Sequence, residues 1–411
     1  MPKRVILAYS GGLDTSVAVK WIQEEWGAEV VALAADVGQD AGATAEDWEA
    51  IRHRALAAGA VEAKVVNVVD EYCDQYVARA IKANTLYEGK YPLVSALSRP
   101  VIARHLVAAA REFGADAVAH GCTGKGNDQV RFEVSVRALA PDLEVLAPVR
   151  VWGFSREDSI AYAKRFDIPV TVTKAKPYSI DENLVGRAIE CGEMEDPWNA
   201  PPADVYTLTK PVSEAPAPRE VVVRFVQGKP VALDGVEMPL SIMIPELNRI
   251  VGAYGFGRID MVENRRVGIK SRETYECPGV LALILAHQDL EGVTVERDLA
   301  REKAKLEPRY AELVYDGLWF SPLREGLDAF IDYSQLYVTG DVRLGLEAGR
   351  CFVAGRRADQ GLYDYDLATY EKGDTFRQQD AEGFVRIWGL SVETWARRQR
   401  AELPVVQEPE A

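Results

Sequence analysis

Up to about residue 170, short apolar runs alternate with stretches whose apolar residues recur every three or four positions. The runs predict strands over residues 5–8, 30–35, 64–69, 117–120 and 145–149. Between them, Val17, Ala18, Trp21 and Ile22 open a helical face, and further helices are expected over 45–58, 72–84 and 100–113. Ser155-Arg156-Glu157-Asp158 has the form of a capping box and starts one more, which ends before Pro169. Repeated strand–helix alternation of this kind predicts a doubly wound parallel α/β sheet. Such sheets bind ligands outside the carboxyl ends of their strands.

The rhythm changes near residue 170. Residues 174–202 are polar and turn-rich, and Glu214-Ala215-Pro216-Ala217-Pro218 reads as an exposed loop. Residues 221–226 and 231–233 suggest a hairpin across Gly228-Lys229-Pro230. Residues 245–254 and 279–290 look helical, and 337–338 and 351–354 look like strands. Together they predict a second, α+β domain. A last helix over about 379–400 carries Phe384, Ile387, Trp388, Leu390, Val392 and Trp395, enough apolar surface to dock on its own domain or on another subunit. The tail 402–411 is expected to be disordered. The predicted division is 1–170, 171–375 and 376–411.

With 48% hydrophobic and 27% charged residues the chain has a globular composition. Its net charge of −15 argues against a broad nucleic-acid surface, which needs clustered Lys and Arg. Five scattered cysteines, with no CxxC pair, argue against a disulfide framework or a zinc ribbon and fit a reducing cytoplasm. The apolar run behind Met1-Pro2-Lys3-Arg4 is too short for a signal peptide, and no stretch approaches a membrane span. The expected partners are therefore small molecules, not nucleic acid or membrane.

Candidate chemistry begins at Ala8-Tyr9-Ser10-Gly11-Gly12-Leu13-Asp14-Thr15-Ser16, between the first strand and its helix. Gly11 and Gly12 let the backbone turn sharply and approach a ligand. Ser10, Thr15 and Ser16 add hydroxyls, and the helix start adds free N–H groups and a positive dipole end. Together they form an anion cradle suited to phosphate. No Lys follows as in a Walker loop, and G-x-G-x-x-G is absent. A plain Gly-rich turn is the structural alternative, but it would need neither the hydroxyls nor Asp14. The string resembles the pyrophosphatase loop of enzymes that cleave ATP between the α- and β-phosphates, and that resemblance puts Asp14 near Mg²⁺.

The second constellation is His120-Gly121-Cys122-Thr123-Gly124-Lys125-Gly126-Asn127-Asp128-Gln129-Val130-Arg131. Asp128 can accept from an amino group and Arg131 can clamp a carboxylate. A solvated loop would require neither. The four histidines, His53, His105, His120 and His287, lack metal-ligand spacing. All four read as structural residues, and His120, beside the constellation, has contact with a nucleotide as its alternative reading. Trp21, Trp26 and Phe113 read as core.

Matching strings run in order along most of the chain: AYSGGLDTS from Ala8, Asp36-Val37-Gly38-Gln39, LYEGKYPL from Leu86, ARH from Ala103, HGCTGKGNDQVRFE from His120, KPYSIDENL from Lys176, DPWNAPP from Asp196, VENR from Val262 and GIKSRETYECPG from Gly268. In this combination the chain resembles the argininosuccinate synthases. The resemblance implies an ATP- and Mg²⁺-dependent ligase that joins citrulline to aspartate through citrullyl-AMP, releases AMP and pyrophosphate, and assembles as a homotetramer. Carried over position by position, it implies ATP at Ala8 through Ser16 (Ala8, Tyr9, Ser10, Gly11, Gly12, Leu13, Asp14, Thr15, Ser16), Ala35 and Gly121. It implies aspartate at Thr123, Asn127 and Asp128. Citrulline would meet Tyr91, Ala96, Asn127, Arg131, Ser179, Ala188, Glu263 and Tyr275. Four positions depart from the family pattern: Ala188 stands where Ser is frequent, Val185 where Trp is common, and Glu273-Thr274 where Gly and an aliphatic residue are usual.

Two alternatives come from other classes. Another pyrophosphatase-loop enzyme acting on tRNA would show a basic patch or a cysteine pair, and an amidotransferase would need a glutaminase module. A non-catalytic nucleotide-binding protein gives no reason for the polar cluster from Thr123 to Arg131. AMP release with and without citrulline and aspartate separates the three.

Overall fold

The computed structural model describes residues 2–39, 43–169 and 178–400. Lys176, Pro177 and the tail 402–411 lie outside them. Five parallel strands, β1 (Arg4–Ala8), β2 (Glu29–Asp36), β3 (Glu62–Asn67), β4 (Ala117–Ala119) and β5 (Glu144–Leu146), form one sheet in the order β3-β2-β1-β4-β5. Alternation along β1 explains why both faces are covered. Val5 and Leu7 enter one core with Val17, Trp21 and Ile22 of the helix Leu13–Trp26. Ile6 points the other way, into a core with Leu106 of the helix Val94–Phe113 and Phe132 of the helix Asp128–Leu139. This is the doubly wound α/β arrangement expected from the sequence. Strand order reverses at β1, and the crevice of such a sheet opens there.

The second part is antiparallel. Strands β6 (Ser179–Asn183), β7 (Gly186–Glu190), β11 (Arg258–Asn264) and β12 (Lys270–Glu276) form a sheet in the order β11-β12-β7-β6. Strands β8 (Arg219–Val226), β9 (Lys229–Leu233), β10 (Val236–Glu237), β13 (Gly340–Glu347) and β14 (Arg350–Ala358) form another, in the order β10-β9-β8-β13-β14. The helices Leu240–Gly252, Pro278–Thr294, Arg297–Tyr315 and Pro322–Ser334 accompany them. One large core runs from Val37 and the Tyr72–Ile81 segment into the helix Pro278–Thr294 and strands β8 and β13, so both parts belong to one compact unit through Gln360.

Several boundaries differ from the sequence expectation. The helix expected from Pro100 starts six residues earlier, at Val94, and keeps Pro100 inside it. The helix expected from Pro245 likewise starts five residues earlier, at Leu240, with Pro245 in its interior. In both, buried side chains on either side of the proline hold the helix across it. The fifth strand is only three residues long, because Pro148 begins a short helix, Pro148–Trp152. Residues 337–338 precede β13 and are not a strand. From Gly361 onward a second unit holds the helix Gln378–Arg398, on which Phe384, Ile387, Trp388, Leu390, Val392 and Trp395 are all exposed. Among the described residues no helix is long and apolar enough to cross a membrane.

Candidate active site

The loop after β1 and the loop after β4 open on one cavity of about 710 Å³, with β6, β7, β11 and β12 closing its far side. At the loop after β1, Gly11 adopts φ +76°, a conformation that disfavours any side chain. Ser10 Oγ lies 3.1 Å from Thr15 Oγ1, which fastens the loop to the first helical turn. Ser16 is buried, with its Oγ 2.9 Å from the Tyr9 hydroxyl. Ala8, Tyr9, Ser10, Thr15 and Ala35 line the cavity. Gly11, Gly12, Leu13, Asp14 and Ser16 belong to the same turn and first helical residues but are not part of that lining. Burial raises the Asp14 carboxyl, against the pull of Arg156. Gly121 approaches from the other loop, where an added Cβ would sit 3.0 Å from Thr15 Cγ2. A side chain there would narrow the crevice between the loops. His120 also lines the cavity, and its Nδ1 accepts from the Cys122 N–H at 3.2 Å.

Among the described residues no group of three or more His, Cys, Asp or Glu is arranged to hold a metal ion. A Mg²⁺ carried in on ATP would take phosphate oxygens, several waters and one or two carboxylates, and the carboxylate in the first helical turn after β1 is Asp14.

The opposite end is densely charged. Asp128, at the start of the helix Asp128–Leu139, receives the Arg99 guanidinium (2.8 and 3.0 Å) on one oxygen and Arg131 Nη1 (2.8 Å) on the other. Arg99 also donates to Asp181 of β6 at 2.7 Å. Burial alone would raise the Asp128 carboxyl, but Arg99 and Arg131 hold it far below the usual carboxylate range. Arg131 Nε donates to the Tyr315 carbonyl at 3.0 Å, and the guanidinium stands 4.9 Å from the centre of the Tyr315 ring. Asn127 donates to the Tyr315 hydroxyl at 2.8 Å and accepts from the Arg266 N–H at 2.9 Å.

Strands β11 and β12 add a second group. Tyr315 donates to Glu263 at 2.8 Å, and the Tyr275 hydroxyl lies 2.9 Å from Glu263 and 2.8 Å from Glu273. Arg265 bridges Glu190 of β7 and Glu273. Burial, then the Glu273 charge and its hydrogen bond, push the Glu263 carboxyl up to about 8. Burial and Glu273 also raise Glu190.

Of the residues singled out in the sequence, the cavity brings together Tyr91, Thr123, Asn127, Asp128, Arg131, Ser179, Ala188, Glu263 and Tyr275. Ala96 is fully buried in its helix and is not part of the lining. Ala188 pairs with Tyr275 in register, whereas Val185 is buried in the core and stands away from the lining. Sequence reading missed Arg99, Asp181, Glu190, Arg265, Glu273 as a site residue, and Tyr315. Asp181, Arg265 and Glu273 sat inside the matched strings, which was the available signal, and Arg99 fell between two of them. Tyr315 had none, because it ends the helix Arg297–Tyr315, which the sequence reading left unassigned.

A parallel sheet with a glycine-hydroxyl loop at its reversal point, facing a pocket of paired charges, defines a nucleotide-binding enzyme of the HUP class. Residues 4–169 match the family model described as "Arginosuccinate synthase N-terminal HUP domain", and residues 178–395 match "Arginosuccinate synthase C-terminal domain". The chain belongs to the argininosuccinate synthase family and is a ligase of that family, with its ATP-binding fold in the N-terminal part. Among solved structures it is similar to a U34-tRNA thiolase from Methanococcus maripaludis, at 13% identity and a TM-score of 0.26, over 42% of this chain and 59% of that one. It is also similar to a predicted subunit of tRNA methyltransferase from Methanocaldococcus jannaschii, at 13% identity and a TM-score of 0.27, over 39% of this chain and 74% of that one.

Proposed function

We propose that the protein condenses L-citrulline with L-aspartate, converting ATP to AMP and pyrophosphate and forming argininosuccinate, a step of arginine biosynthesis. The observation that carries this reading is the single cavity shared by the phosphate-type loop and the charged pocket. ATP occupies the end formed by residues 8–16, Ala35 and Gly121, with Mg²⁺ on its phosphates. The citrulline ureido oxygen attacks the α-phosphorus, the bond to the β-phosphate oxygen breaks, and pyrophosphate leaves. The aspartate amine then attacks the ureido carbon, loses a proton, and AMP departs.

The chain's own part is binding and orientation. Arg131 and Ser179 receive the citrulline carboxylate, Glu263 and Tyr275 its ammonium, and Tyr91 the alkyl chain that runs from them to the ureido group. Thr123, Asn127 and Asp128 orient aspartate. Holding two reactants at the α-phosphorus and then at the ureido carbon supplies most of the rate enhancement, because neither step needs a covalent link to the protein. The exposed apolar face of the helix Gln378–Arg398 supports assembly into a homotetramer, and the free cysteines fit a cytoplasmic setting.

Pyrophosphate release from ATP tests the reading. Release that needs citrulline, with sustained turnover only when aspartate is added, is the expected result. Release that needs neither, or no release with both, overturns it.

A further inference from the structure

The charged end of the cavity holds more carboxylates than its cations offset. Glu263 and Glu273 lie on the same face of β11 and β12, offset by one diagonal step, since Glu273 pairs in register with Met261. Both line the cavity, and both meet the Tyr275 hydroxyl. Arg265 is engaged by Glu190 and Glu273, while Arg99 and Arg131 are engaged by Asp128 and Asp181. Glu263 is only 2% exposed. Its partners are the Tyr275 and Tyr315 hydroxyls and the Glu273 carboxyl, and among the described residues no cationic side chain comes within ion-pair distance of it. A buried carboxylate without a counter-charge is costly, and a cation entering the cavity removes that cost.

The second acid changes which cations suit the place. The ammonium of an α-amino acid has a carboxylate on the neighbouring carbon. Seating that ammonium at Glu263 therefore keeps its own carboxylate, which Arg131 and Ser179 receive, in the same pocket as the Glu273 charge, like against like. An ammonium on a plain alkyl chain carries no such anion and gains from both acids. The ureido group at the other end is the same in either case, and so are the bonds made and broken.

We propose that Glu273 is a specificity-determining residue, which with Glu263 cradles the acceptor's ammonium and extends the acceptor range from citrulline to ureido amines that lack the carboxylate, the N-carbamoyl diamines. The inference rests on the ligase reading and names a substrate class for the same pocket.

The test compares citrulline with its decarboxylated counterpart, N-carbamoyl-1,4-diaminobutane, as acceptors for the full chain, reading pyrophosphate release with ATP, Mg²⁺ and aspartate. The wild type is expected to use the amine with a kcat/KM within about tenfold of that for citrulline, because Glu263 holds the ammonium of either acceptor and the added attraction of Glu273 offsets the lost contact to the carboxylate. Glu273→Gln keeps the volume and the Tyr275 contact but removes the charge. It should move the ratio by about tenfold or more in favour of citrulline, and Glu273→Gly should move it in the same direction. Taking the ratio within one preparation cancels any loss of folded protein. A wild type that consumes citrulline but not the amine, or a ratio unmoved by both variants, overturns the inference while leaving the ligase reading intact. Consumption of neither acceptor overturns both.

Discussion

At the nucleotide end of the cavity, Ser10, Gly11, Gly12 and Gly121 offer backbone and small hydroxyls at a helix start. At the acceptor end, Asp128, Arg131, Glu190, Arg265 and Glu273 offer whole charges, each already paired, and Glu263 offers a buried carboxyl held by tyrosine hydroxyls. Main-chain donors are supplied by the shape of the loop and survive most side-chain changes. Paired charges do not, because deleting one leaves its partner buried and uncompensated. The acceptor end should therefore be the fragile one.

The largest effect is expected at Arg131. Its replacement by Ala leaves Asp128 with Arg99 alone and removes the proposed carboxylate clamp. Citrulline kcat/KM should fall by about a thousandfold, the scale of a broken buried ion pair. Unchanged citrulline affinity, measured by saturation kinetics, would remove Arg131 from the acceptor site.

A medium effect is expected from pH. The Glu263 carboxyl holds its proton up to about 8, and an ammonium group pairs only with the ionised form. Binding of a cationic acceptor therefore requires that proton to leave. Citrulline kcat/KM should rise with pH, by up to about tenfold per unit below that value, and then level off. The groups meeting this carboxyl are Glu273, Tyr275 and Tyr315, and the tyrosines keep their protons throughout, because burial raises both. Removing the Glu273 charge should shift the limb to lower pH. Folding stability runs in the opposite direction. The native state binds more protons than the unfolded chain between the ordinary glutamate value, about 4.3, and the raised one, so this group's contribution falls as pH rises through that window. A citrulline profile without this limb would contradict the electrostatics of the pair.

The smallest effect belongs to the loop. Ser10→Ala removes one hydroxyl contact to Thr15 while leaving the backbone in place. A loss of about 1 kcal/mol, or about a fivefold rise in the KM for ATP, is expected. A collapse as large as that of Arg131→Ala would show that the two ends do not differ as described.

The same contrast governed what could be read from the sequence. The parallel sheet was legible, because β1 and β2 are buried on both faces and so appear as unbroken apolar runs. The sheet that carries the acceptor end was not. Strands β6, β7, β11 and β12 read as Ser-Ile-Asp-Glu-Asn, Gly-Arg-Ala-Ile-Glu, Arg-Ile-Asp-Met-Val-Glu-Asn and Lys-Ser-Arg-Glu-Thr-Tyr-Glu, because one face of that sheet lines a polar cavity. Its buried acids and arginines look like solvent-facing positions until their cross-strand neighbours are known. Glu263 and Tyr275 were reached through motif resemblance, not periodicity. Glu273 was noted only as a departure, and its register beside Glu263 gives it meaning.

The central claim is that the ureido oxygen of the acceptor is joined to the α-phosphorus of ATP inside this cavity. Citrulline labelled with ¹⁸O in its ureido group, turned over with ATP and aspartate, tests it directly. The account predicts the label in the phosphate of AMP. Label in any other product, with unlabelled AMP, would contradict it.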